Sequence, residues 1–347
     1  MKRSISLSTK KLFIPIVLSI IAITFFSIRT DTFSSAANYA TILREMATPL
    51  LISCGMCFVM ASGYIDLSVG AIAGFLCMLA SRMIDWGLPI IIVLLLMVVV
   101  GTMCGLINSI VLHRFNLNPF VGTLAMQNVY RGLVWVISYR YANGSAYSVR
   151  ITDPLIKELN GAVIIGGFKI YYSLIAAIIC MLICQIIVSK TKFGMNVYAM
   201  GSNLRAAELT GINVVAVQRY SYMLCGAMTA ICAIFLLARS QCATTTLGSG
   251  LEFDAISALV VGGASAMGAS ENAGKASPIG AALGAFFLYA VYNGIYKLGL
   301  PTAYQQIIQG AALIVMLAVD GILTIIRIHR KQMAFGSDQE QALREGS

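Results

Sequence analysis

Charge is what this sequence has least of. Only 11% of its 347 residues are Asp, Glu, Lys or Arg, while 59% are hydrophobic, against roughly 25% charged in an ordinary soluble domain. That balance excludes a soluble globular protein, and no stretch is long and polar enough to form a second, soluble domain. Histidine is nearly missing: His113 and His329 are the only two, with no His-Glu-x-x-His pair, so neither a zinc site nor a buried proton-shuttling imidazole is supported. No nucleophile, base or metal cluster stands out, which argues against an enzyme and gives no catalytic residue, metal or cofactor. The net charge of +10 does not indicate nucleic acid, because the basic residues sit singly at the ends of apolar runs.

Cysteine is present but not patterned. Of nine cysteines, Cys54, Cys57, Cys77, Cys104, Cys180 and Cys184 lie inside apolar runs and read as small packing residues. Cys54-Gly-Met-Cys57 resembles a redox or zinc pair but has no second pair and few polar neighbours. The stretch Gly268-Ala-Ser-Glu-Asn-Ala-Gly274-Lys275-Ala276 imitates a phosphate loop. Its first Gly is one residue too distant, and Ala276 stands where a hydroxyl would hold magnesium. The chain is therefore not expected to bind ATP itself. Asn143-Gly-Ser145 matches a glycosylation sequon and reads as idle.

What is there in quantity is long apolar runs. About ten are near the 17 to 25 residues that cross a bilayer as a helix: 12–28, 46–62, 68–84, 88–111, 119–138, 170–188, 220–238, 251–267, 278–296 and 304–326. The first follows Lys2, Arg3, Lys10 and Lys11 but lacks a prompt small-x-small cleavage site, so it reads as a retained span. The runs holding Gly63, Asp66, Gly70 and Gly74, and Glu252, Asp254, Gly262 and Gly263, are weak as full spans. They predict broken or re-entrant helices, which need protein or water around them. Alternate loops carry fourteen Lys and Arg on the amino-terminal side against nine on the other, with Arg131 left inside a span. The rule that positive charge stays inside puts both termini in the cytoplasm, with a cytoplasmic tail over 327–347.

The halves echo one another. Asp66 recurs as Asp254, 188 residues on, and Asn108 as Asn293, 185 residues on. Five spans per half, over 12–138 and 170–326, would invert the second repeat, an arrangement common among transporters. The predicted fold is an all-α membrane protein of about ten spans in two inverted five-helix repeats, one permease domain over 1–347. Between the halves lies a polar cytoplasmic loop, 194–219. There Asn203 is placed to cap a short helix over 204–210 that Gly211 ends, with Arg205 and Glu208 on one exposed face beside Ala206 and Ala207.

Intramembrane polar groups carry a functional prior. Among them are Asp66, Asn108, Gln127, Asn128, Arg131, Glu252, Asp254, Asn293, Gln305, Gln306, Gln309 and Asp320. Amides outnumber charges, which suits a pathway for a neutral, hydroxyl-rich solute. Asn108, Gln127, Asn128, Asn293, Gln305 and Gln309 are the pathway candidates; helix-to-helix bonding is the alternative for each. Gly63, Asp66, Gly70 and Asp254 read as hinges or caps.

These residues resemble a known family. Ser62-Gly-Tyr-Ile-Asp-Leu-Ser-Val-Gly70, Asn118-Pro-Phe-Val-Gly-Thr-Leu-Ala-Met126 with Arg131-Gly132, and Val197-Tyr-Ala-Met-Gly-Ser-Asn203 are similar to the permease subunits of ribose-type sugar ABC importers. So are Glu252-Phe-Asp-Ala-Ile256 with Val261-Gly-Gly263, and Asn293-Gly294 with Tyr304-Gln305 and Gly310. These permeases are relatives of the branched-chain amino acid permeases, and the resemblance covers residues 47–320. It implies a multi-pass permease in a bacterial cytoplasmic (inner) membrane, surrounded by lipid and paired with a second permease copy or paralogue. Its further partners would be a cytoplasmic ATP-binding subunit and an extracytoplasmic solute-binding protein. The spacing Ala206-Ala207-x-x-x-Gly211 resembles the permease loop that docks into the ATPase, making the helix after Asn203 a coupling helix. Two departures stand out: Tyr64 replaces a usual Gly, and 268–274 is poorer in Gly than the family. An ion-coupled secondary transporter, powered through Asp66 or Asp254, is the rival reading.

Overall fold

A computed structural model describes residues 3–141, 148–264, 276–301 and 303–311, with isolated positions 314 and 318, and side chains from residue 13 onward except 140 and 141. The sequon at Asn143, residues 268–275 of the phosphate-loop mimic, Asp320 and the tail 327–347 lie outside the described residues.

Helices dominate because apolar runs without water must satisfy their backbone internally. In chain order they are α1 (Arg3–Arg29), α2 (Ala36–Ala61), α3 (Val69–Asp85), α4 (Ile90–Arg114), α5 (Pro119–Tyr141), α6 (Pro154–Leu159) and α7 (Tyr172–Lys190). Then follow α8 (Lys192–Ser202), α9 (Leu204–Leu209), α10 (Val214–Ser240), α11 (Leu251–Val261) and α12 (Pro278–Lys297). Residues 303–311 are helical as well. Among the described residues α2, α4, α7, α10 and α12 are long and apolar enough to cross a membrane. The only strands there are β1 (Val149–Arg150), pairing antiparallel with β4 (Cys242–Ala243), and the hairpin β2 (Ala162–Ile165) with β3 (Phe168–Tyr171).

Helix α2 is the axis of the bundle. Leu50, Leu51, Ile52, Met56, Phe58 and Val59 are all fully buried, as expected of a helix apolar on every side. It packs along α10, and each of the two crosses to the other half of the chain: α2 lies against α11 and α12, and α10 against α3 and α4. By contrast α4 turns Ile91, Leu95, Val99 and Met103 outward, and α7 Ile179, Ile183 and Ile186. Those exposed faces are the ones lipid would cover.

Close backbone contact sets the α4–α10 crossing. A Cβ at Gly105 would collide with the Tyr222 carbonyl, and one at Gly226 with that of Gly101. Helices approaching this closely need small residues at the contact.

Several boundaries differ from the sequence expectation. The run 251–267 is helical only to Val261. Gly262 caps it, and Gly263 at φ 96° closes a turn in which the Ala264 amide bonds back to the Leu259 carbonyl. Helix α10 starts at Val214, six residues before the apolar run, because Asn213 Oδ1 accepts from the Ala216 amide and caps it. The first part of the polar loop expected over 194–219, residues 194–202, is helical. It is helix α8, capped where Thr191 Oγ1 accepts from the Gly194 amide (3.2 Å). The nine cysteines are free, and no group of three metal-ligating side chains occurs among the described residues.

Gly226→Val should destabilise the protein by roughly 1–3 kcal/mol through overpacking. Gly132→Ala, at a helical position where an added Cβ meets nothing within 4 Å, should be neutral or stabilise by up to about 1 kcal/mol. Thermal unfolding in detergent, followed by fluorescence, compares the two.

Candidate functional site

The site has two ends, set apart by the length of α2. Its 26 residues correspond to about 39 Å at the helical rise.

At one end are α8 and α9. Asn203 ends α8 and begins α9, its Oδ1 accepting from the Ala206 amide (3.0 Å). Gly211, at φ 83°, closes α9: its amide bonds to the Glu208 carbonyl (2.9 Å), and that of Ile212 to the Ala207 carbonyl (3.1 Å). This double closure is the turn that a left-handed glycine permits. Ala207 is the only buried residue of α9; Arg205, Ala206 and Glu208 are exposed. Leu209 is 85% exposed, with Leu204 and Met195 also outward. A capped helix showing charge beside bare apolar side chains has the make-up of a protein-docking surface.

This end is tied to α2 through its backbone. A Cβ at Gly201 of α8 would collide with the Ala61 carbonyl, the last residue of α2. Beyond it Gly63, at φ 88°, turns the chain toward α3. Tyr64 in that turn is half-buried. Burial, and then the negative charge of Glu208, push its phenol above the usual range, so the ring that departs from the family pattern lies near the exposed helix.

At the other end is a cavity of about 730 Å³, walled by the starts of α2 and α11, the ends of α10 and α12, and residues 305–309. Asp254 is its best-connected group. It accepts at Oδ2 from Tyr289 Oη (2.9 Å) and at Oδ1 from Gln309 Nε2 (2.7 Å) and Tyr292 Oη (3.4 Å). Asn293 Oδ1 accepts from Asn38 Nδ2 (2.8 Å), and Gln305 Nε2 donates to the Tyr292 carbonyl (3.3 Å). At the rim, Arg239 Nη2 pairs with Glu45 Oε1 (2.6 Å). The walls thus offer amide and hydroxyl donors and acceptors, the chemistry that meets hydroxyl groups, beside four charged side chains: Asp254, Lys297 and the Glu45–Arg239 pair.

Between the ends two polar clusters join distant segments. Asp66 Oδ1 accepts from the Ser68 amide (2.9 Å) and hydroxyl (2.6 Å) just before α3. Asn108 Nδ2 donates to Ser68 Oγ (2.7 Å) and Asp66 Oδ2 (3.3 Å), while Asn108 Oδ1 accepts from Tyr130 Oη (3.0 Å). In the second cluster Gln127 Nε2 donates to Glu252 Oε1 (3.0 Å). Gly70 lies under that carboxylate, where any Cβ would collide with it.

Of the six amides singled out in the sequence, the structure brings Asn293, Gln305 and Gln309 into one cavity together with Asp254. Asn108 is fully buried in the Asp66 cluster, and Gln127 meets Glu252. Asn128 is exposed and bonds only to Leu124 O of its own helix (3.2 Å). Sequence reasoning missed Asn38, Tyr289, Tyr292 and the Glu45–Arg239 pair. Tyr289, Tyr292 and Asn293 at helical spacing, one polar face of α12, were the available signal; nothing local marked Asn38.

The model of the family described as branched-chain amino acid transport system / permease component matches residues 38–317. The ribose import permease protein of Bacillus subtilis is 31% identical over 85% of this chain and 88% of its own length. The L-arabinose ABC transporter permease protein of Azospirillum brasilense is 31% identical, covering 85% and 83%. The galactose/methyl galactoside import permease protein of Haemophilus influenzae is 29% identical, covering 84% and 88%. No solved structure matches the chain.

Asn108→Ala should cost about 1–3 kcal/mol, because it strips partners from buried Asp66, Ser68 and Tyr130. Asn128→Ala should stay within about 0.5 kcal/mol of the parent. Denaturation midpoints in detergent measure both.

Proposed function

Because this chain belongs to the branched-chain amino acid transport system / permease component family, we propose that it is the membrane-spanning permease subunit of an ATP-driven, binding-protein-dependent importer. Its cargo is a monosaccharide or a similar small polar solute. The permease names of its relatives, for ribose, arabinose and galactose, support that solute class. The observation that carries the reading is the two-ended layout: an exposed, doubly capped α9 at one end of α2 and α10, and at the other a cavity of amides and tyrosines around Asp254, with the Glu45–Arg239 pair and Lys297 also in its wall.

The proposed topology is ten membrane segments in two inverted repeats, with 12–138 and 170–326 as the halves and 194–219 as the coupling loop between them. Support comes from the crossed packing, in which α2 and α10 each lie against the third and fourth membrane segments of the opposite half, α11 and α12 or α3 and α4. An inverted repeat places its elements this way about an axis in the membrane plane. The short α3 and α11, each entered through a non-helical stretch, take the part of broken helices. The termini and α9 face the cytoplasm of a bacterial inner membrane, and the cavity faces outward.

In this mechanism a solute-binding protein delivers cargo to the cavity side, and a second permease copy or paralogue completes the pathway. A cytoplasmic ATP-binding subunit grips α9 through Arg205, Glu208 and the exposed Leu209, with Asn203, Ala206, Ala207 and Gly211 holding the helix in shape. Force on α9 reaches α2 through the Gly201–Ala61 contact, and the hinge at Gly63, Asp66 and Gly70 lets the halves rock. Asn293, Gln305 and Gln309 contact solute at the outer end, and Gln127 further in. Asn108 and Asp254 position their neighbours. The ion-coupled rival gains no support, since Asp66 and Asp254 are both engaged by neutral donors within the protein.

The test is ATP hydrolysis and sugar uptake by the complex reconstituted in vesicles. Arg205→Glu together with Glu208→Arg should lower coupled uptake about tenfold or more, as expected when interface charges are reversed. Unchanged assembly and uptake would show that α9 is not the coupling helix.

A further inference from the structure

Half-buried Arg131 and buried Glu252 are groups of opposite charge within the bundle, and they do not pair. Arg131 lies within α5, and its Nη1 donates to the carbonyls of Leu247 (2.9 Å) and Thr245 (3.4 Å). Glu252 stands in the first turn of α11, is 3% exposed, and uses Oε1 to accept from Gln127. Arg131 Nη2 and Glu252 Oε2 are both buried without a hydrogen-bond partner in the protein. Among the described residues the one ion pair is Glu45–Arg239 at the cavity rim. Leaving charged atoms unsatisfied in the interior is costly, so their retention calls for a use.

Both groups rest on the same strip of α3. The Glu252 carboxylate abuts Gly70, and Arg131 Nη1 lies 3.0 Å from where a Cβ of Gly74 would be. Positions four apart on a helix are separated by about 6 Å along its axis. One oxygen that accepts from a guanidinium and donates to a carboxylate, each at about 2.8 Å, spans about the same distance. Groups resting four positions apart on α3 are thus spaced on the order of one bridging hydroxyl. The pair also adjoins the pathway: Gly250 and Asp254, two residues to either side of Glu252, line the cavity.

We propose that Glu252 and Arg131 form a midpoint contact for the solute, in which one sugar hydroxyl donates to Glu252 Oε2 and accepts from Arg131 Nη2 as the two halves part. Gln127 orients the carboxylate through Oε1. This inference rests on the importer reading and adds a specificity-determining pair to it. The dispersed amides of the cavity tolerate many hydroxyl patterns, whereas a charged donor and acceptor at fixed spacing selects for one hydroxyl at one position.

The experiment uses the complete importer, with its ATPase and binding protein, in vesicles. Uptake of radiolabelled D-ribose, D-galactose and L-arabinose identifies the best-transported sugar, and the monodeoxy analogues of that sugar follow. Glu252→Gln and Arg131→Lys should each slow the parent sugar about tenfold, the effect of one charge-assisted hydrogen bond. Each should slow the one analogue that lacks the bridging hydroxyl by less than about twofold. The binding protein meets the same analogue in every case, so the ratio of variant to unmodified rate isolates the permease. Equal slowing of the parent sugar and every analogue, as a resident water or a purely structural pair would give, overturns the inference and leaves the importer reading standing. If Glu252→Gln does not assemble, Arg131→Lys, which keeps the positive charge, decides. Absence of ATP-driven uptake of all three sugars by the unmodified complex overturns both.

Discussion

The first turn of α11 is bonded to both halves of the chain at once. Glu252 faces α3 and α5, where Gln127 donates to it, and Asp254 faces α12 and Gln309, which donate from the other side. Two acidic residues in the opening turn also favour the positive end of the helix. Hydrogen bonds between membrane helices contribute roughly 0.6 kcal/mol on average and at most about 2. No single one fixes the arrangement, and the set can exchange partners without unfolding the bundle. A helix start held this way can serve as a pivot, and the cavity lies directly against it.

Around that pivot the rest of the structure is stiff. Helix α2 is buried along nearly its whole length and meets α10 through small residues, among them Gly55 against the Cys225 backbone. The α4–α10 crossing is closer still, with Gly105 and Gly226 each facing backbone. Packed cores of this kind shift as units between discrete arrangements. The contact between Gly201 and Ala61 therefore matters more than its size suggests. It connects α8, and through Asn203 the exposed α9, to the end of the most deeply buried helix.

Much of this could be read from the residues. The helical segments follow from apolar run length, and α9 appears between Asn203 and Gly211 as capping rules require, one residue shorter than expected. What was hidden is of two kinds. Helix α8 was obscured because Gly194 and Gly201 look like breakers; Gly201 is instead a packing residue, which only the neighbouring Ala61 carbonyl explains. The convergence of Gln127 with Glu252, and of Asn38 with Asn293, joins positions 125 and 255 apart in sequence. No local pattern encodes such pairs. Asn108 looked like a pathway amide because a buried amide in an apolar run has the same sequence signature whether it meets solute or a neighbouring helix. Its partners come from two other segments, Asp66 and Ser68 from the turn before α3 and Tyr130 from α5.

In the proposed importer, α9 at one end governs the cavity at the other through α2, α10 and the pivot at α11. The most direct measurement is the distance between spin labels placed across the cavity mouth at positions 41 and 306, in the complete importer, before and after ATP binds to the ATPase. A distinct shift in the distance distribution on ATP binding, reversed after hydrolysis, is the expected result. A distribution that stays the same through a cycle in which sugar is still taken up would contradict it.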